Sequence, residues 1–124
     1  MGQFVQECGF KLGNPGHFLT IGEFVYHSDR YGNIIVPDGF STDFASIPNW
    51  VPRWLFDPMR HARKSALPHD MLCRDALSFE DRVKADHVFY EAMGDEGVKQ
   101  WRRAIMFSAV RLNTQRMKWM GEWR

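Results

Sequence analysis

Two polar residues stand where the pattern calls for apolar side chains. His69 falls on a helical face with Ala62, Ala66 and Cys73, at spacings of four, three and four, and Asp86 falls on another with Val83, Phe89 or Tyr90, and Met93. A buried carboxylate is costly unless it is paired, and a histidine N–H is a natural partner for it. Such a pair fixes the imidazole tautomer and leaves its second nitrogen available, so that Asp86 orients and His69 serves as a base. A satisfied core hydrogen bond between packed helices uses the same two residues, and the sequence leaves both readings open.

Asp70 follows His69 directly. On a helix its side chain turns by about 100°, toward a different surface, where it is available to a cation. Asp43, in Gly39-Phe40-Ser41-Thr42-Asp43-Phe44-Ala45-Ser46, sits on an irregular segment that could bring a second carboxylate to the same place. Hard oxygen ligands of this kind suit Ca²⁺ better than Zn²⁺. Thr42 and Asp43 are also a common Asx- or ST-turn pair, and this alternative stays open. Ser46 lacks the G-x-S-x-G elbow of an activated serine.

The elements that would position these residues can be read in outline. Glu23 to His27 and Asn33 to Val36 are β-rich runs around the turn-prone Ser28-Asp29-Arg30-Tyr31-Gly32, which predicts a hairpin. Phe40 to Pro58 reads as a long irregular loop, punctuated by Pro48, Pro52 and Pro58 and carrying Trp50, Trp54 and Phe56. A first helix begins near Ser65, either with Pro68 inside its first turn or with a kink there. Ser78 with Asp81 resembles a capping box opening a second helix from Phe79 to Met93, with Gly94 as its stop. A third runs from about Glu96 to Asn113, with Val98, Trp101, Ile105, Ala109 and Leu112 on its inward stripe and Asp95 and Glu96 at its positive end. The tail with Trp119 and Trp123 either continues that helix or docks separately.

The turn between the first two helices centres near Ala76 and Leu77, which places His69 and Asp86 level in an antiparallel pair. The expected architecture is a single α+β domain over 1–124, an N-terminal β-hairpin and long loop packed on a three-helix C-terminal half. The length of 124 residues suits one core, and a composition of 44% hydrophobic and 25% charged residues is that of a globular chain.

Sixteen basic against fifteen acidic residues give a net charge of +1, so no global field announces nucleic acid or an anionic membrane. The basic residues Arg102, Arg103, Arg111, Arg116, Lys118 and Arg124 read as a solvated helix face. Cys8 and Cys73 match no zinc spacing; they form one disulfide or remain two free thiols, the second being the expectation in a reducing cytoplasm. No apolar run has the length of a signal peptide or of a membrane span, about 20 residues.

Two resemblances follow from these residues. The succession Val36 to Pro48, then His69-Asp70, then Arg82 to Met93, resembles a family of uncharacterised proteins of bacteriophages and prophages, domain of unknown function thirteen fifty-three. It implies a phage origin, with the host cytoplasm or the virion as location. Over about thirty residues, His69-Asp70-Met71-Leu72-Cys73-Arg74 followed by Arg82 to Met93 is similar to the paired helices of the small prokaryotic phospholipase A2 enzymes. That resemblance implies His69 as the base that activates water, Asp86 as its orienting partner, and Asp70 and Asp43 as Ca²⁺ ligands. Cys73 stands where those enzymes place a tyrosine.

The activity so implied is Ca²⁺-assisted hydrolysis of a lipid or other ester. The competing expectation is a non-enzymatic virion, tail or assembly component, bound to phage structural proteins, in which the polar cluster only locks the helices together. Its support is the aromatic content of the loop and of the C-terminal tail.

Overall fold

The computed structural model describes residues 2–13, 17–42 and 63–120. Within them six short strands precede three helices: β1 (Gln3–Gln6), β2 (Gly9–Leu12), β3 (Phe18–Ile21), β4 (Phe24–Ser28), β5 (Gly32–Val36), β6 (Ser41–Thr42), α1 (Arg63–Arg74), α2 (Phe79–Glu96) and α3 (Gln100–Met120). The fold class is α+β, as the sequence implies.

The expected hairpin is β4–β5. Its pairs run from Phe24 opposite Val36 to Ser28 opposite Gly32, and the turn closes on Gly32 at φ 79°, a left-handed conformation that glycine adopts without a Cβ clash. Alternation drives the register: Phe24, Tyr26, Ile34 and Val36 point inward and are buried, whereas His27 and Ile35 face outward. Strand β1 adds to β4, giving the antiparallel order β1-β4-β5. A second sheet, β2-β3-β6, uses Ser41 and Thr42 from the segment expected to be irregular. The rest of that segment, with Pro48, Pro52, Trp50, Trp54 and Phe56, lies outside the described residues.

Helix α1 carries Pro68 in its interior and is assigned without a break from Arg63 to Arg74. Ser78 caps α2 as expected, accepting the Asp81 N–H at 3.2 Å. The expected stop at Gly94 is wrong. The helix continues one turn to Gly97, which takes φ 91° while its N–H bonds the Gly94 carbonyl and the Val98 N–H bonds that of Met93. Asp95 and Glu96 consequently end α2 and do not open α3. Trp119 belongs to the continued α3.

The inward stripe of α3 also differs from expectation. Val98 and Ala109 are buried as expected, but Met106, Val110 and Thr114 complete the buried side, whereas Trp101, Ile105 and Leu112 face out. Among the described residues the helix packs on one side, and the buried and exposed stripes have similar apolar content, so periodicity does not separate them.

Two apolar clusters form the core. Phe24, Tyr26, Ile34 and Val36 of the hairpin pack with Leu67, Val88 and Ala92; Ala66, Phe89 and Met93 pack with Val98, Met106, Ala109 and Val110. Helices α1 and α2 serve both clusters, which is why α2 is buried over a wider arc, including Ala85, Val88 and Ala92, than a single stripe would be.

Candidate functional site

His69 sits in the middle of α1 and Asp86 in the middle of α2, on facing sides of the antiparallel pair. Their side chains meet as the spacing predicts: His69 Nε2 lies 3.0 Å from Asp86 Oδ1, and both residues are 1% exposed. A carboxylate only accepts, so Nε2 carries the proton and donates. The imidazole stacks on Phe89, one helical turn from Asp86, with ring centres 4.7 Å apart.

Asp86 is held from the other side as well. Its Oδ2 accepts from the Thr114 hydroxyl at 2.8 Å and from the Arg111 guanidinium at 3.1 Å, both on α3. One buried carboxylate therefore ties all three helices together. Neither α3 partner was anticipated. Arg111 was indistinguishable from the solvated basic face around it, and a threonine within a helix carries no signal of its own.

Cys73 is one turn beyond His69 on α1, and its Sγ lies 3.5 Å from the same Nε2. Burial alone would hold the imidazole neutral, but the electrostatic influence of Cys73, the hydrogen bond and charge of Asp86, and the hydrogen bond to Cys73 outweigh it and push His69 up to about 10. The surroundings of His69 thus favour its protonated form. Cys8 and Cys73 are both free thiols, and burial holds the Cys8 thiol up in its protonated form.

Asp70 turns away from this pair, as expected. It is buried, and its Oδ2 accepts from the Thr42 hydroxyl on β6 and from Arg74, 3.4 Å away and one turn along α1. Arg74 also donates to the Ser41 carbonyl and lies over the Phe40 ring at 4.5 Å, so α1 is fastened to the β6 end of the second sheet. Asp43 lies outside the described residues.

Calcium requires about six to eight oxygen ligands. Asp70 offers a hard oxygen, but Thr42 and Arg74 already occupy one side of it, and the guanidinium puts a positive charge where a cation would approach. Among the described residues no group of three or more His, Cys, Asp or Glu side chains is arranged to hold a metal ion. These residues do not fit a calcium cage by themselves.

Residues 19–110 match the family described as "Protein of unknown function (DUF1353)". The chain belongs to that family. The match runs from β3 nearly to the middle of α3, so it includes Thr42, His69, Asp70, Cys73 and Asp86 and ends one residue before Arg111. The family's description carries no activity. Searches of curated proteins and of solved structures returned no match. Among the described residues no helix is long and apolar enough to cross a membrane.

Proposed function

We propose that this member of the family is a bacteriophage protein that hydrolyses a lipid or other ester, with His69 as the general base and Asp86 as its orienting partner. The observation that carries the reading is the buried His69–Asp86 hydrogen bond at 3.0 Å, with Asp86 further fixed by Thr114 and Arg111. A carboxylate held by three donors cannot swing, so the imidazole bonded to it is fixed in one orientation. The likeness of the α1–α2 pair to the small phospholipases A2 supports the choice of ester substrate.

The base must be neutral to take a proton from water. Because His69 is pushed up to about 10, the rate of hydrolysis should climb with pH across the whole range from neutral toward that value. His69→Gln should abolish activity, and Asp86→Asn should lower it by about a hundredfold or more. Turnover of phosphatidylglycerol and of a soluble p-nitrophenyl ester, followed against pH, checks both statements. A flat pH profile, or activity that survives His69→Gln, would overturn the reading. The hydrolysis so proposed is not routed through calcium, and calorimetry with CaCl₂ on the intact chain and on Asp70→Asn tests separately whether Asp70, with Asp43, holds the ion.

A second reading is favoured by a specific observation. Asp86 accepts from α1 and twice from α3, and Asp70 joins α1 to β6, which is the distribution expected of polar locks in a non-enzymatic virion, tail or assembly component. Under this reading His69→Gln lowers the melting temperature and neither ester is turned over by the wild-type chain at any pH.

A further inference from the structure

The outward face of α3 carries a pattern that the other described elements do not use. Positions 101, 105, 108, 112, 115 and 119 alternate spacings of four and three, the 3.5-residue repeat of a helix–helix seam. Trp101, Ile105, Leu112 and Trp119 on this line are 48%, 40%, 56% and 72% exposed, and Ser108 between them is exposed too. The buried residues of the same helix, Met106, Val110 and Thr114, lie on its opposite side.

The line carries one shallow, open depression. Between Ile105 and Leu112, the small residues Ala104, Ser108 and Ala109 form the floor of a depression of about 390 Å³. A hole bounded by two larger apolar side chains, on a 3.5-residue repeat, is what a facing helix fills with a knob.

Charge narrows the occupant. From Gln100 to Met120 the helix carries Arg102, Arg103, Arg111, Arg116 and Lys118 and no Asp or Glu. Arg102 and Arg116 immediately follow Trp101 and Gln115 on the line, and Arg111 and Lys118 immediately precede Leu112 and Trp119, so cationic stems border both edges. Arg102 lies over the Trp101 ring at 4.6 Å, and Arg111 reaches inward to Asp86.

We infer that this face docks an amphipathic helix of a second protein, one with aliphatic side chains along its seam and carboxylates along its flanks. A second copy of α3 would set cations against cations on both edges, which disfavours self-association through this face. Residues 43–62 of the same chain hold two acidic residues, Asp43 and Asp57, against Arg53 and Arg60, and offer no complementary charge. An anionic lipid surface would attract the same cations and tryptophans, but it presents no knob for the depression. The inference does not depend on whether His69 is catalytic.

The test uses the full chain and defined probes. Two synthetic helical peptides share a leucine seam and differ only in carrying Glu or Lys at the flanking positions; the third probe is vesicles of phosphatidylcholine with and without phosphatidylglycerol. Calorimetry and sedimentation should show a one-to-one complex with the Glu peptide, weakened by salt, and none with the Lys peptide. Leu112→Glu should weaken that complex by more than about tenfold while the melting temperature holds, because Leu112 is exposed. Arg116→Glu, which leaves the seam intact, should weaken it less and flatten the salt dependence. Equal binding of both peptides, binding to anionic vesicles without binding to the Glu peptide, self-association lost in Leu112→Glu, or no binding of any probe would each overturn the inference.

Discussion

Asp86 spends its two oxygens on different tasks. One fixes His69, and the other takes Thr114 and Arg111, so that a carboxylate with no access to water has three donors in place of hydration. Removing it should take one acceptor from His69, Arg111 and Thr114 together: Asp86→Ala should cost about 3–5 kcal/mol of stability, measured by urea unfolding. The pH dependence has a definite sign. The folded imidazole is raised from its ordinary value of 6.5 to about 10. The stability it contributes is therefore full below about pH 6.5 and lost as pH rises toward 10. Because Cys73 contributes to that upward push, Cys73→Ser should bring the His69 titration down and shorten the window from its alkaline end, which NMR of the imidazole carbons would follow; an unchanged titration would remove Cys73 from the account. At this scale the sequence was informative where a residue broke a pattern. His69 and Asp86 each interrupted an apolar face, so their pairing was readable. Arg111, Thr114 and Thr42 broke nothing, and only the fold brings them to their carboxylates.

Helix ends illustrate the same limit one level up. Ser78 was legible because capping is local chemistry, a side-chain oxygen meeting an N–H three residues on. Ser78→Ala should lower stability by about 1 kcal/mol, read from the shift in urea midpoint at constant slope. The far end of α2 offered two glycines, and composition does not choose between them. Gly97 stops the helix because it alone takes the left-handed conformation that closes the last carbonyls. The N-terminus of α1 is served from a distance: Glu96, the last residue of α2, accepts from the Lys64 and Ser65 N–H groups and from the Ser65 hydroxyl. The start of one helix is thus satisfied by the end of another, a contact with no sequence signature. Strands β1 and β2 escaped notice for a related reason, since their four-residue stretches are mostly exposed and gain order only by pairing with β4 and β3.

Across the whole molecule the two clusters raise the question of how many cooperative units there are. Ala66 and Leu67 are neighbours on α1 yet belong to different clusters, as do Val88 and Phe89 on α2. Each helix is therefore a shared wall, and neither cluster can dissolve without stripping one face from both. Polar ties run the same way: the Tyr26 hydroxyl at the centre of the hairpin donates to Asp95, and Ser28 on the same strand donates to Glu91, both on α2. The single-domain expectation can be tested by damaging each cluster at a point far from the other. Phe24→Ala removes a ring from the hairpin side and Met106→Ala a side chain from the α3 side; each should cost about 2–5 kcal/mol. If the walls are shared, both substitutions lower the midpoint of one transition, and hydrogen exchange of the β4–β5 amides moves together with helical circular dichroism. A hairpin that melted under Phe24→Ala while the helical signal kept its original midpoint would show two units, and the three-helix site would then have to be regarded as standing without its sheet.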